Sequence, residues 1–136
     1  DDNDLRDLVA TGRGVISGGV FLTAETATGE GPGQERMSAS ATENIRVTVQ
    51  APTWITVTTL EVYVNGVLEG TIPVPDTGVA LRYDDDVAVN IPAGASYVIF
   101  HARGDVDGEG VETSTLDPVH PGRSPFGATN AIYFQR

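Results

Sequence analysis

The stretch that decides the fold is residues 60–74, Leu-Glu-Val-Tyr-Val-Asn-Gly-Val-Leu-Glu-Gly-Thr-Ile-Pro-Val. Apolar side chains occupy alternate positions before the Asn-Gly pair, which is the period of a β-strand with one buried face. Asn65-Gly66 is the strongest hairpin signal in the chain, because these residue types tolerate the positive φ that a two-residue turn requires. The sequence therefore predicts a hairpin whose second strand covers residues 67–74.

The same alternation recurs on both sides of this hairpin. Segments rich in Gly and Pro separate the apolar stretches, at residues 28–34, 75–78 and 92–94. We expect strands at residues 15–28 with an interruption at Gly18-Gly19, 45–50, 54–64, 67–74, 79–83, 87–91, 96–102 and 131–134. About seven to nine short strands without alternating helices are typical of an antiparallel β-sandwich, either immunoglobulin-like or jelly-roll-like.

The N-terminal segment, residues 1–12, is the only helical candidate. Acidic residues in its first turn favour a helix N-terminus, and the apolar residues at positions 5, 8 and 9 share one face. Gly12 then ends the helix. We therefore expect a short helix or connector over residues 1–12 and a single β-sandwich domain over residues 13–136.

The composition excludes several classes of protein. The 136 residues include no Cys and no Lys, and 19 Asp and Glu outweigh 8 Arg to give a net charge of −11. Without Cys, disulfides and thiol nucleophiles are excluded, and the negative charge opposes binding to nucleic acid or anionic lipid. No apolar run is long enough for a membrane span. Since Asp1 is not a start Met and the acidity suits an extracellular medium, we expect an exported protein, periplasmic, at the cell surface or extracellular.

The histidines have structural explanations. His101 lies within an apolar strand and His120 lies within a loop rich in Pro and Gly. No motif of a metal, nucleophile or phosphate site surrounds either of them. The sequence therefore predicts no catalytic residue, and we expect that this chain is not an enzyme.

Residues 79–86 combine an alternating pattern with a run of charges. The pattern places Val79, Leu81 and Tyr83 on one side of a strand and Arg82 on the other. The run Asp84-Asp85-Asp86 then predicts a charged turn between two strands.

One acidic segment has the spacing of a metal site. Asp105, Asp107 and Glu109 stand at the first, third and fifth positions of a calcium loop, and Gly110 stands at the sixth. The twelfth position is Leu116, where an EF-hand requires a bidentate Glu, so a true EF-hand is excluded. Two interpretations of this segment are left: a looser calcium site in a loop, and a soluble acidic loop that binds no cofactor.

Two aromatic residues are candidates for ligand binding. Trp54 follows Pro52 at the start of a predicted strand, where it is either the core tryptophan of the sandwich or a stacking platform for a sugar. Tyr63 has outward parity beside Glu61. A single exposed tyrosine does not make a row of sugar-binding aromatics.

Several segments together resemble a known family. The similar segments, in chain order, are residues 10–22 (ATGRGVISGGVFL), 47–66 with Ala-Pro-Thr-Trp and Val-Tyr-Val-Asn-Gly, 100–105 (FHARGD), 116–119 (LDPV), 125–126 (PF) and 129–133 (TNAIY). They resemble the region that follows the catalytic barrel in bacterial PHP-type metallohydrolases of the carbaryl-hydrolase-like (CehA/McbA) group. The resemblance implies a C-terminal β-sandwich appendage, because the family's metal ligands lie in the upstream barrel and have no counterpart here.

These observations favour a non-catalytic accessory or structural domain of an exported bacterial protein. Its expected partners are its own upstream catalytic domain or neighbouring copies of itself, with no nucleic acid and no membrane span. One alternative is a self-assembling extracellular subunit of the fibre or surface-layer type, since any sandwich has edges that can accept a strand. Another alternative is a carbohydrate- or calcium-binding module, which depends on Trp54 and the Asp105 loop.

Overall fold

A computed structural model of the protein describes residues 15–104 and 124–136, and the regular structure in these ranges is entirely β. The strands are β1 (Val15–Gly18), β2 (Phe21–Thr26), β3 (Glu35–Met37), β4 (Thr42–Gln50), β5 (Thr59–Val64), β6 (Val67–Pro73), β7 (Leu81–Asn90), β8 (Ala95–Arg103), β9 (Phe126–Thr129) and β10 (Ile132–Gln135). The prediction of an all-β chain is confirmed. The helix expected over residues 1–12 lies outside the described residues.

The strands form two sheets. The smaller sheet is antiparallel, in the order β2-β4-β7. In the larger sheet β8 is central, with β5 and then β6 on one side. On its other side β8 pairs first with β10 and then with β9. Beyond them, β1 is antiparallel to β9 and β3 is parallel to β10. This two-sheet arrangement is consistent with the predicted sandwich.

One hydrophobic core lies between the two sheets. Alternate side chains of β4 and β8 point into it, as the period-two pattern predicts: Ile45, Val47, Val49, Val98 and Phe100 are all fully buried. Burying one such side chain contributes about 1.5–3 kcal/mol relative to leaving it in water. The inward faces of β4 and β8 therefore hold the two sheets together.

The predicted hairpin is present. Val64 pairs with Val67, so Asn65 and Gly66 alone form the loop between β5 and β6. Both have positive φ, 51° at Asn65 and 80° at Gly66, as a type I′ turn requires. The Asn65 side chain also accepts a hydrogen bond from Tyr97 N (3.0 Å), which fastens the turn to the start of β8.

The structure has ten strands, not the expected seven to nine. β3 and β9 lie in segments for which the sequence predicts no strand, whereas the strands expected at 79–83 and 87–91 form the single strand β7. The expected interruption at Gly18-Gly19 is present. Positive φ at Gly19 separates β1 from β2, and these two strands join different sheets. β9 pairs with β8 and ends before β10 begins.

The prediction for residues 79–86 is wrong in two respects. The register between β4 and β7 shifts at Val49/Gln50, so the side-chain parity before that point is inverted. As a result Arg82 is buried, whereas Val79 and Leu81 are exposed. Residues 84–86 are not a turn, because they continue β7 and pair with residues 46–48 of β4.

Three connections gather at one end of the fold, which we call the loop end: residues 51–58, residues 74–80, and the two chain positions 104 and 125. Four backbone hydrogen bonds tie them together: Ala51 N to Ala80 O (3.0 Å), Val74 N to Thr58 O (2.8 Å), Thr58 N to Arg103 O (3.0 Å) and Gly104 N to Pro125 O (2.9 Å). The Asn65-Gly66 hairpin lies at the opposite end of β5. Within the two described ranges there is no helix with the length and hydropathy needed to cross a membrane.

Candidate functional site

The outer faces of the two sheets differ in chemistry. The face of the smaller sheet is polar: the Thr23 and Thr48 hydroxyls bond to each other, and Arg46 Nε lies 2.7 Å from Asp84 Oδ1. Both partners of that ion pair are substantially exposed, so it contributes little to stability. Apart from its end beside the loops, this surface is adapted to contact with water.

The outer face of the larger sheet instead carries a band of large apolar and aromatic side chains, which we call the apolar stripe. Its members lie on one face because they are cross-strand neighbours or alternate along a strand. The stripe consists of Leu68, Tyr63, Ile99, Tyr97, Tyr133 and Met37, and so it crosses from β6 to β3. Tyr133 is 46% exposed and Met37 is 73% exposed. Tyr63, Tyr97 and Ile99 are partly exposed, and Glu35 and Gln135 lie opposite Tyr133 and Met37 at the β3 border. A partly exposed apolar band of this kind is typical of a contact surface.

A charged cluster adjoins the stripe on the same face. Glu61 of β5 is only 9% exposed, although it points away from the core. Its Oε2 atom accepts a hydrogen bond from the Tyr63 hydroxyl (3.0 Å) and lies 3.0 Å from His101 Nδ1. Its Oε1 atom accepts a hydrogen bond from Arg103 Nε (3.0 Å). We call these four residues the Glu61 cluster.

The electrostatics of the cluster keep Glu61 ionised. Burial raises the pKa of the Glu61 carboxyl, but the hydrogen bonds from His101, Arg103 and Tyr63 outweigh it, and the net effect lowers the pKa. The bond to Glu61 in turn raises the pKa of the Tyr63 hydroxyl, which therefore keeps its proton. The cluster thus joins a carboxylate to a guanidinium, so the Glu61–Arg103 pair itself adds little net charge to this face.

The chemistry of the Glu61 cluster suits positioning rather than reaction. Each carboxylate oxygen is already engaged by a donor, and the His101 ring lies beside Phe126 with ring centroids 6.3 Å apart. Within residues 15–104 and 124–136 no group of three His, Asp or Glu side chains is arranged to hold a metal ion. The cluster can fix the direction of the Arg103 and His101 side chains on a contact face.

The structure separates the two predicted ligand-binding aromatics. Tyr63 joins the Glu61 cluster near the hairpin, whereas Trp54 lies at the loop end in a turn closed by Ile55 N donating to Pro52 O (2.9 Å). Trp54 is 55% exposed and is not the core tryptophan, because the strand begins only at Thr59 and Ile55 fills the core position instead. The calcium candidates Asp105, Asp107 and Glu109, like His120, lie outside the described residues.

Sequence reasoning missed the partners of His101 and Tyr63. Glu61, His101 and Arg103 all have outward parity, which is visible in the sequence. Their meeting depends on the register that sets Glu61 opposite His101, and no sequence pattern gives that register. Comparison of the chain with models of known families, with curated proteins and with solved structures returned no match. The function is therefore argued from the geometry and from the resemblance.

Proposed function

We propose that this chain is a non-catalytic accessory domain with an immunoglobulin-like sandwich, which packs through the outer face of its larger sheet onto a neighbouring domain of an exported bacterial protein. The observation that carries the proposal is the contrast between the two faces, one largely polar and one bearing the apolar stripe and the Glu61 cluster. The resemblance to PHP-type metallohydrolases suggests that the neighbour is their catalytic barrel.

The strand order supports the immunoglobulin-like part of the proposal. A three-stranded sheet faces a sheet in which β6, β5, β8 and β10 follow one another. The β2–β4–β7 and β5–β8–β10 groupings match the division of strands between the two sheets of that fold. The parallel pairing of β3 with β10 places an early strand beside the last one.

The composition of the larger sheet's outer face supports docking. Tyr and Met are enriched in the buried centres of protein interfaces, and here they occur together at Tyr133 and Met37, on the neighbouring strands β10 and β3. Removing a carboxylate from water normally costs free energy, which opposes its burial in an interface. Glu61 already has its hydrogen-bond partners, so covering it with another protein surface has a smaller cost. The face is therefore prepared for contact with a largely neutral surface.

The position of β1 supports docking to a domain ahead of it in the chain. β1 pairs with β9 at the border of the larger sheet, with Gly18 opposite Phe126. A domain attached before residue 15 is therefore tethered beside the sheet that carries the stripe. This tether favours intramolecular packing, since it raises the effective concentration of the two surfaces.

Hydroxyl-radical footprinting tests the proposal. The 136-residue chain is compared with a longer protein that includes the polypeptide encoded before Asp1. We expect Tyr133 and Met37 to be oxidised several-fold more slowly in the longer protein, because a neighbouring domain covers them. Phe21, on the other sheet, serves as the internal control and is expected to react equally in both. Equal oxidation of Tyr133 and Met37 in the two proteins would show that the proposal is wrong.

A second candidate function is self-assembly by strand exchange, favoured by one observation. β6 and β7 border the two sheets on the same side, and a cleft of ≈180 Å³ lies between them, lined in part by Val62, Ile72, Val87 and Val89. A strand from another copy could pair there with an open edge. Light scattering over a wide concentration range tests this candidate. Self-assembly requires the molecular mass to grow with concentration, and a constant monomer mass would contradict it.

A further inference from the structure

A second exposed apolar surface lies at the loop end, away from the apolar stripe. Four large apolar side chains contribute to it, which we call the loop-end patch: Phe21, Trp54, Val79 and Leu81. They are 59%, 55%, 56% and 41% exposed, respectively. Isolated exposed apolar residues need no explanation, but four gathered at one end of a sandwich do.

Register and hydrogen bonds bring the members of the patch together. Gln50 is paired with Phe21 on one side and with Leu81 on the other, so these three side chains form one row across the smaller sheet. Val79 is two residues before Leu81. The turn with Trp54 is beside them, because Ala51 N donates to Ala80 O (3.0 Å).

The buried Arg82 holds the Trp54 turn in place. Arg82 is 3% exposed, and its Nη2 atom donates to both Pro52 O and Ile55 O at 3.0 Å, the residues that flank the turn. A buried guanidinium with two carbonyl acceptors fixes the backbone on both sides of Trp54. The indole is therefore presented from a rigid turn, which reduces the ordering entropy that binding would otherwise cost.

The charges beside the patch are negative. The Asp76 side chain is 88% exposed and lies 3.4 Å from Arg82 Nη1, beside the Trp54 turn. Asp84 pairs in register with Thr48, the outward position of β4 next to Gln50, and so it borders the Phe21–Gln50–Leu81 row. Arg46 lies 2.7 Å from Asp84 and 3.7 Å from Asp86, so one guanidinium is outnumbered by the three exposed carboxylates of residues 84–86 and the sum is negative. The whole chain carries a net charge of −11. The patch is thus apolar at its centre and acidic at its margin.

We propose that the loop-end patch binds a protein partner that presents apolar side chains flanked by Lys or Arg. Three of the four patch side chains are Phe, Val and Leu, which have no hydrogen-bonding groups to offer a sugar, so the patch favours an apolar protein surface. The acidic margin selects basic neighbours and speeds their association. The site goes beyond the proposed function, because it lies on the other sheet and the loops.

Trp54 is the only tryptophan, so its fluorescence reports directly on the patch. The full chain is titrated with a short soluble peptide that alternates Leu with Arg. A peptide with Glu in place of Arg tests the charge, and a soluble β-glucan oligosaccharide tests the sugar alternative. We expect a saturable blue shift of the Trp54 emission with the Arg peptide alone, weakening as salt is added.

Variants separate this site from general attraction to an acidic chain. Leu81→Ser is expected to weaken binding of the Arg peptide by about tenfold, because one apolar anchor of the interface is lost. Val67→Ser, at an exposed apolar residue of the hairpin end that belongs to neither surface, is the matched control and is expected to change nothing. Asp84→Asn, which removes an exposed margin charge and leaves the Asp76–Arg82 pair intact, is expected to flatten the salt dependence. Circular dichroism and urea unfolding check that each variant is folded.

Four outcomes would overturn the proposal: equal weakening by Leu81→Ser and Val67→Ser, equal binding of the Glu and Arg peptides, a shift with the oligosaccharide alone, or a shift that follows protein concentration without any peptide. The last would assign the patch to a second copy of the chain. None of these results depends on whether the apolar stripe is covered, so this proposal and the proposed function can fail separately.

Discussion

At the scale of single residues, Glu61 has a combination of properties that is uncommon on the outer face of a sheet. It is a carboxylate with 9% exposure. Its partners come from its own strand, β5, and from the adjacent strand, β8. Because His101, Arg103 and Tyr63 all stabilise its charged form, the pKa of Glu61 is lower in the folded protein than in the unfolded chain. Folding and ionisation of this side chain are therefore linked.

We predict that Glu61→Gln destabilises the protein at neutral pH by about 1–3 kcal/mol, the usual cost of losing hydrogen bonds to a charged group. Since the pKa of Glu61 is lowered on folding, its contribution is present above the unfolded value near 4.5 and is lost as pH falls through the folded value. Urea unfolding of both proteins at several pH values between neutrality and strong acid measures the difference.

The matched control for this prediction is Glu69→Gln. Glu69 is exposed on β6, so its replacement should change the free energy of unfolding by no more than about 0.5 kcal/mol at any pH. If the difference between Glu61→Gln and the parent were independent of pH, the hydrogen bonds of the cluster would not be what stabilises it.

At the scale of elements, the β5–β6 hairpin depends on one glycine. Gly66 has φ +80°, and a Cβ placed on it would lie 3.2 Å from the Tyr97 hydroxyl. We predict that Gly66→Ala lowers the free energy of unfolding by about 1–2 kcal/mol, because an L-residue pays for the left-handed conformation. Gly70→Ala, in β6 with open space around its Cβ position, is the control and should be nearly neutral. Urea unfolding measures the stability of both variants. An equal loss of unfolding free energy in the two would contradict this explanation.

The outermost strand of the smaller sheet, β7, carries its own protection against association. Asp85 is paired with the buried Val47, so it belongs to the inner face, yet it is exposed at the border of the sheet. An inward-pointing charge on such a strand discourages pairing with another chain. This feature opposes strand exchange along the first half of β7.

We predict that Asp85→Val makes the protein associate at high concentration, since it would extend the apolar alternation of Val87 and Val89 along an unpaired edge. Asp86→Val, on the outer face of the same strand, makes an equal change in composition and should associate much less. Light scattering after size-exclusion chromatography measures both masses. Equal association of the two variants would mean that hydrophobicity alone, and not the inward charge, controls the edge.

Elements with a regular period could be predicted from the sequence, and their arrangement could not. The hairpin at Asn65-Gly66 and the buried face of β4 follow from local chemistry, so both predictions are confirmed. The parity of residues 79–82 is inverted by a single shift at Val49/Gln50, which depends on a partner strand. The Glu61 cluster likewise depends on register between β5 and β8. Local patterns fix strands, whereas sites formed by neighbouring strands require the three-dimensional pairing.

At the scale of the whole molecule, charge opposes compactness. The chain has a net charge of −11, and its exposed ion pair at Arg46 contributes little. Repulsion among carboxylates destabilises the folded state, and salt screens it. We predict that sodium chloride raises the melting temperature, by about 4 °C for each kcal/mol of relieved repulsion in a chain of this length. Calorimetry across a salt series measures the trend.

Sodium sulfate at matched ionic strength is the comparison for this prediction, because sulfate also strengthens apolar burial. If chloride raises the melting temperature nearly as much as sulfate does, screening of the carboxylates explains the effect. A melting temperature that falls as chloride is added would mean that attractive ion pairs outweigh the repulsion, and would contradict the prediction.

The parallel pairing of β3 with β10 has a mechanical consequence. Their backbone contacts include Tyr133 N donating to Gln34 O (2.9 Å) and Ser38 N donating to Gln135 O (2.9 Å). When parallel strands are pulled apart from the start of one and the end of the other, all such bonds are loaded together in shear, whereas a hairpin pulled at its open end unzips one bond at a time. Tension between the C-terminus and the chain ahead of β3 would therefore meet a shear-resistant clamp.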